Sequence, residues 1–349
     1  MADFTSNITT IANLKDAFEH VPTQEEAGTD SVVNYEYTLQ NDLDFNNEHY
    51  WFKESDFFYC NHISTFEDTT IFTENKTFQL NNKTISNIYL YEGIRLFTLD
   101  PYDKTVGTTY NLTFYDGTFE VISNNGTIFD LCVSQLPSGA GSNNKLITNV
   151  MFKNCVFNVK VLHNAADSNT STPHTLFQNS KNTNTSDIRL QFVNCVFNIE
   201  FTPACTLTGS IIWTKSIYST SFQSCEFRIK DRSTSRANYN NPIIVYGATS
   251  RVIASNNIIF YDTDTEWSSN ITIFYAGNTA TTTNNFLASF YTYTNPIVVD
   301  FTYNNSIFYD SDKFSRYNTT GTVVTGLPTT DCKSVAALEA AGYIFANES

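Results

Sequence analysis

A short motif that recurs along the chain constrains the fold more than any other feature. It pairs two phenylalanines with a cysteine between them, and its best copies read FKNCVFNV, FVNCVFNI and FQSCEFRI, at 152–159, 192–199 and 222–229. A looser copy, FYDGTFEV, precedes them at 114–121. Degraded copies follow, in which the cysteine is replaced by Asn257, Asn285 and Asn305. Motifs that recur at an uneven spacing of roughly 20–50 residues are typical of solenoids with loops of variable length.

Composition points to an all-β protein. The 349 residues include 29 Phe and 20 Tyr, and only 16% are charged. Aromatic and β-branched segments separated by Asn, Ser and Gly are typical of strands and turns. Disordered chains lack this density of large apolar residues, so the composition argues against disorder.

Alternation within each copy predicts which side chains form the core. In a strand, Cys155, Phe157 and Val159 face one way, while Asn158 and Lys160 face the other. If the copies stack, they build a cysteine column of Cys155, Cys195 and Cys225. They also build an aromatic column of Phe119, Phe157, Phe197 and Phe227, continued by Ile259, Leu287 and Ile307.

We call the cysteine of each copy, or the residue that replaces it, the register position. The residue before it is polar and is usually Asn. In the four best copies it is Asp116, Asn154, Asn194 and Ser224. Asn tolerates the left-handed backbone of a tight corner, and its amide can bond to an Asn in the next copy. We therefore predict a stacked corner at this position.

Two segments carry a resemblance to a known architecture. LQNDLDF at 39–45 and NNKTISNIYL at 81–90 resemble the opening coils of single-stranded right-handed parallel β-helix proteins, such as phage tailspikes and virion fibres. The resemblance implies a right-handed parallel β-helix over 35–312, with a capping segment at 1–34 and another at 313–349. It also implies a homotrimer.

Both capping segments are expected to contain a short helix. Apolar residues at helical spacing predict a helix over 9–20, with Thr9 or Thr10 as its N-cap. Near the other end, Pro328, an Ala/Leu run and Gly342 predict a second helix.

Charge and cysteine content exclude several function classes. A net charge of -15 disfavours a nucleic-acid partner, because no Lys/Arg stripe is available to replace counterions. No apolar run is long enough to span a membrane, and the N-terminus does not resemble a secretory signal. We expect synthesis in a host cytoplasm, where the seven cysteines would be free core thiols.

No nucleophile elbow, phosphate loop or metal-ligand spacing occurs, so no cofactor or metal is expected. The strongest acidic cluster is Asp262, Asp264 and Glu266, followed by Trp267. Alternate carboxylates on one strand face are about 6.6 Å apart, within the range that glycoside hydrolysis needs. Trp267 could stack on a sugar. The same residues also suit a weak Ca²⁺ site. The pattern recurs at Asp310 and Asp312, which favours a structural turn.

These observations favour a non-enzymatic function. We expect a virion structural protein, a bacteriophage fibre, spike or capsid-decorating component located in the virion. Its partners would be other virion proteins and a host-surface glycan. The alternatives are a polysaccharide-degrading β-helix enzyme, such as a tailspike depolymerase, and a bacterial surface adhesin.

Overall fold

The structure is a computed structural model and describes most of the repeats but not every loop. The described residues are 2–27, 31–46, 57–60, 73–91, 93–100, 109–131, 146–163, 176–179, 186–205, 211–214, 219–233, 244–247, 251–255, 257–263, 271–272, 274–276, 279–283, 286–289, 297–299, 303–304, 307–308, 314–317 and 323–325. Most of them lie in β-strands, and nearly all of the strand pairs are parallel, so the described part of the chain has a mainly β, parallel architecture.

The largest sheet contains two parallel ladders, in each of which every strand pairs with a strand from the following copy of the motif. The first ladder consists of β1 (Ala2–Ile8), β2 (Val32–Leu39), β5 (Thr73–Tyr91), β7 (Thr109–Asn124), β9 (Leu146–Lys153), β12 (Ser186–Val193), β15 (Ser219–Gln223), β18 (Arg251–Ser255), β22 (Thr279–Thr283) and β25 (Tyr303–Asn304). The second consists of β3 (Leu43–Asp44), the later halves of β5 and β7, β10 (Val156–His163), β13 (Val196–Phe201), β16 (Glu226–Asp231), β19 (Ile258–Thr263), β23 (Phe286–Ser289) and β26 (Ile307–Phe308).

Two smaller sheets complete the β-structure. The third ladder, a separate sheet, is parallel and consists of β4 (Phe58–Cys60), β6 (Arg95–Leu99), β8 (Thr127–Leu131), β11 (Phe177–Asn179), β14 (Ile212–Thr214), β17 (Val245–Gly247) and β21 (Phe274–Ala276). The last sheet is β20 (Ile271–Thr272), β24 (Ile297–Val299), β27 (Phe314–Tyr317) and β28 (Val323–Thr325), of which the final pair is antiparallel.

The core consists of stacked aromatic columns, one from each ladder. Phe119, Phe157, Phe197 and Phe227 are fully buried, and successive rings lie 5.3, 5.1 and 4.7 Å apart between centroids. The first ladder adds a column that the sequence analysis did not list, namely Tyr37, Phe78, Phe114, Phe152, Phe192 and Phe222. The third ladder adds Phe58, Phe97, Phe129 and Phe177. Edge-to-face contacts such as Phe157–Phe177, at 5.3 Å, join the columns into one core.

A left-handed corner separates the first and second ladders. Asp116, Asn154, Asn194 and Ser224 have φ of 55°, 55°, 52° and 54°. The Nδ2 of Asn154 donates to Asp116 at 2.8 Å, and that of Asn194 donates to Asn154 at 3.2 Å. Asn side chains therefore hold both the corner geometry and the contact between copies.

The register position after this corner requires a small side chain. Cys155, Cys195 and Cys225 are buried there, and each thiol donates to a Phe carbonyl of the preceding copy at 3.3–3.6 Å. In the first copy the position is Gly117, where a Cβ atom would lie 2.5 Å from the Cβ of Leu80. Only glycine fits at that point without displacing Leu80.

Helix α1 (Ile11–Glu19) covers one end of the aromatic core, and a single-turn helix, α2 (Gln24–Ala27), follows. Thr10 is the N-cap, and its Oγ1 accepts from the backbone of Asn13 at 3.1 Å. Phe18 packs on Phe97 with ring centroids 5.0 Å apart. The predicted helix over 9–20 is thus found, whereas the predicted C-terminal helix lies outside the described residues.

The ends of the ladders add two details to the predicted arrangement. Strand β1 pairs with β2 along its whole length, so the largest sheet includes residues of the predicted N-terminal capping segment. At the other end, Leu287 pairs with Phe308 and Phe286 pairs with Ile307. The last copy is therefore shifted by one residue, and Phe308 instead of Ile307 continues the line of Leu287. The shift is already present in β25, where Asn304 pairs with Thr283.

Candidate functional site

The outer face of the second ladder carries an open groove of about 450 Å³. We call it the outer groove. Its polar lining is Asn87, Glu120, Asn158, Lys160, Asn198, Glu200, Arg228 and Lys230, and Ile122 contributes an apolar edge that is 37% exposed. These side chains alternate with the buried Phe and Val/Ile columns, so the same period of two that builds the core also aims them outward.

The groove side chains form two rows across the strands. Strand pairing aligns Glu120, Asn158, Asn198 and Arg228 in one row, and Ile122, Lys160, Glu200 and Lys230 in the other. Neighbours in a row are therefore about 4.8 Å apart, and the rows are separated by about 6.6 Å. The result is a rigid grid of hydrogen-bonding groups whose spacing is fixed by the core beneath it.

The row from Glu120 to Arg228 has a direction. The Nδ2 of Asn198 donates to Oδ1 of Asn158 at 2.8 Å, so amide donors point toward the earlier copy and acceptors toward the later one. Glu120 lies at the end that the donors face, and Arg228 at the end that the acceptors face. Charges at both ends thus complement the amide dipoles.

The groove differs in charge from the rest of the chain. It contains two carboxylates and three cations, whereas the whole chain has a net charge of -15. Lys160 and Lys230 stand on either side of Glu200 in one row, and Arg228 forms an ion pair with Glu226. Such a surface suits a polar ligand that offers both hydroxyl and anionic groups.

Of the four residues predicted for catalysis or sugar stacking, one, Asp262, lies among the residues that the structure describes. Asp262 lies in β19 and pairs in register with Lys230, so it continues the row of Lys160 and Glu200. Asp264, Glu266 and Trp267 lie outside the described residues. Within the groove, Glu120 and Glu200 are two strands and two residues apart, about 12 Å between Cα atoms.

The cysteine column has no ligand-like geometry. All five described cysteines, Cys60, Cys155, Cys195, Cys205 and Cys225, are buried free thiols. Burial raises the pKa of the Cys60 thiol and raises the pKa of Cys205 to about 11. Thiols that stay protonated near neutral pH are poor nucleophiles, so Cys60 and Cys205 act as small core residues.

A buried ion pair lies beneath α1 and was not anticipated. Glu74 and Lys76 are inaccessible to solvent, with 3.6 Å between Oε1 and Nζ. Lys76 Nζ also donates to the carbonyl oxygens of Phe18, at 3.0 Å, and His20 at the end of α1. The sequence did contain a signal, because alternation back from the inward-facing Phe78 points positions 76 and 74 inward.

A second row of amides on the first ladder was also missed. Asn34, Asn75, Asn111 and Asn149 each donate to the preceding member at 2.6–2.7 Å, and the first acceptor is Asp3. Each Asn stands three residues before an aromatic residue of the first column, which is the pattern that could have revealed it. The row has the same polarity as that of the outer groove.

Among the residues that the structure describes, no group of three or more His, Cys, Asp or Glu side chains is arranged to hold a metal ion. No helix in the same part of the chain has the length and apolar character needed to cross a membrane. Comparisons with protein-family models, with curated protein sequences and with solved structures each find no match to this chain.

Proposed function

We propose that the chain winds as a right-handed parallel β-helix and serves as a rigid structural and attachment component of a virion. It would be a bacteriophage fibre, spike or capsid-decorating protein. The observation that carries the proposal is the continuity of the aromatic columns, which run in register from Tyr37 to Phe222 and from Phe119 to Phe227.

Continuous columns make a stiff rod. Each coil adds about 4.8 Å, and nine or ten coils would give a length of about 45 Å. Every buried Phe contributes about 1.5–3 kcal/mol through burial alone, so the rod resists bending at any one coil. A stiff rod is suited to presenting an attachment surface on a virus particle.

The outer groove is the surface that we assign to attachment. Its grid of amides, carboxylates and cations matches the hydroxyl and charged groups of a host-surface glycan, and its backbone is held rigid before binding. The other partners in this proposal are neighbouring virion proteins.

Quantitative mass spectrometry of purified virus particles from the source tests the structural role. We expect the chain at a fixed copy number that matches the symmetry of the particle. Absence from intact particles would contradict the proposal.

Attachment is tested separately, with purified protein and host cells. Replacing both Lys160 and Arg228 by Ala should weaken cell binding at least about tenfold, because two charge-assisted contacts are lost. The matched control is Arg251→Ala, which removes an exposed cation from the first ladder. Equal loss in both variants would show that the outer groove is not the attachment surface.

One observation favours the enzymatic alternative. Asp262 pairs in backbone register with Lys230, so a position predicted to be catalytic continues a row of the proposed glycan surface. If the chain cleaves polysaccharide, Asp262→Asn should abolish release of reducing ends while the melting temperature stays unchanged. Unchanged cleavage in this variant, or no cleavage by the parent chain, would exclude Asp262 as a catalytic residue.

A further inference from the structure

Strand β1 is an open edge of the largest sheet. Among the described strands it pairs with β2 alone, and the side chains of residues 3–7 are all exposed. Helix α1 covers the core beyond Ile8, but Phe4 remains 36% exposed with its ring stacked 5.3 Å from that of Tyr35. Open edges are usually blocked by proline, lysine or a bulge. β1 carries one charged residue, Asp3, and no proline.

The backbone groups available at this edge can be assigned. The amide of Gln40 donates to the carbonyl of Ile8 at 2.9 Å, so the peptide groups of Ile8 point toward β2. Peptide groups alternate along a strand, so those of Phe4 and Ser6 also point toward β2. The N–H and C=O groups of Asp3, Thr5 and Asn7 therefore point to the open edge.

Two side chains at the edge each keep one hydrogen-bonding group for a further partner. Asp3 keeps an acceptor, and Asn7 keeps a donor. One oxygen of Asp3 already accepts from Asn34 at 2.6 Å, which leaves its second oxygen as an acceptor. The Oδ1 of Asn7 accepts from Gln40 at 2.9 Å, which leaves the Nδ2 of Asn7 as a donor. Both side chains lie on the same face as Thr5, because the three positions alternate with Phe4 and Ser6.

We propose that two copies of the chain pair through β1 as antiparallel strands centred on Thr5. A two-fold axis at Thr5 places Asp3 of each copy opposite Asn7 of the other. The free oxygen of Asp3 then accepts from the free Nδ2 of Asn7 twice, once on each side of the axis. Thr5 of one copy pairs with Thr5 of the other, and Phe4 of each copy faces the small Ser6 of the other. The largest sheets of the two copies become continuous. The pairing holds whether or not the chain belongs to a virion.

Analytical ultracentrifugation over a range of concentrations tests the pairing. The wild-type chain should form a reversible dimer. Asn7→Asp should raise the dimer dissociation constant about tenfold or more, because it places two carboxylates opposite each other. The double variant Asp3→Asn/Asn7→Asp exchanges donor and acceptor and should restore the dimer. The control Asn41→Asp makes the same chemical change at an exposed site away from the edge and should have no effect.

Cysteine cross-linking tests the register. Directly opposite hydrogen-bonded residues have Cα atoms about 5.5 Å apart, within disulfide range. Thr5→Cys should therefore form a covalent dimer under mild oxidation, and Ser6→Cys, which would face Phe4, should not. A wild-type monomer at every concentration would overturn the proposal and leave the edge to a different protein. A dimer insensitive to Asn7→Asp, or equal cross-linking of both cysteine variants, would also overturn it.

Discussion

At the corner between the first and second ladders, one side chain performs two tasks. Asn154 adopts φ of 55° and links Asp116 to Asn194 through its amide. A left-handed backbone costs most L-residues about 1–2 kcal/mol, and Asn is among the residues that tolerate it. Backbone preference and side-chain bonding can therefore be separated by substitution at this position.

Replacing Asn154 separates the two contributions. Asn154→Gly loses the amide contacts but keeps the left-handed backbone, whereas Asn154→Ala loses both. We expect the Ala variant to be less stable than the Gly variant by about 1 kcal/mol in denaturant unfolding. Equal stability of the two variants would show that the corner backbone carries no strain.

Phe197 tests the aromatic column. Its ring is fully buried and stacks between those of Phe157 and Phe227 at 5.1 and 4.7 Å. Phe197→Ala should lower the free energy of unfolding by about 3–5 kcal/mol, because it leaves a cavity in the column. The control Ile253→Ala, at a site 39% exposed, should change it by less than about 0.5 kcal/mol. A thermal melt of Phe197→Ala without a shift would contradict the column.

At the scale of elements, α1 is fixed to the first ladder by a buried charge. Lys76→Met removes the two hydrogen bonds to the end of α1 and the cation paired with Glu74. Breaking a buried pair in this way should cost about 3–5 kcal/mol, measured by denaturant unfolding. The double variant Glu74→Leu/Lys76→Met should recover most of that loss, because both charges are then absent. No recovery would mean that Lys76 acts through α1 alone.

The same elements show what could be predicted from sequence. Helix α1 was predictable because its apolar spacing and N-cap are local signals. Strand β1 was not, because ADFTSNI has weak alternation and gains its strand conformation from pairing with β2, some thirty residues later. Of the outer groove, the sequence predicted only that Asn158 and Lys160 face outward. Its rows depend on the register between copies, which a single copy does not contain.

At the scale of the whole molecule, many buried ionisable groups share one direction of pKa shift. Burial raises the pKa of Tyr35, Tyr37, Tyr110 and Cys60, and raises the pKa of Cys205 to about 11. In the unfolded chain Cys titrates near 8.5 and Tyr near 10. The unfolded state therefore loses protons first, and folding stability falls as pH rises.

We expect full stability below about pH 8.5 and a progressive loss above it, first from the Cys groups and from about pH 10 also from the Tyr groups, at up to about 1.4 kcal/mol per pH unit for each group. Denaturant unfolding at a series of alkaline pH values measures this slope. Cys205→Ala removes one of these groups and should make the slope shallower. A stability that is constant or rises over this range would contradict the assignment of these side chains to the core.

The central claim is that successive copies stack in register along one line. Glu36 and Gln191 are four strand steps apart in the first ladder, and Glu36 and Ile253 are six steps apart. Spin labels introduced as unnatural amino acids at these sites allow the two distances to be measured by double electron–electron resonance. We expect backbone separations of about 19 Å and 29 Å, in proportion to the number of steps. Two similar distances, or a longer one for the first pair, would contradict the stacked arrangement.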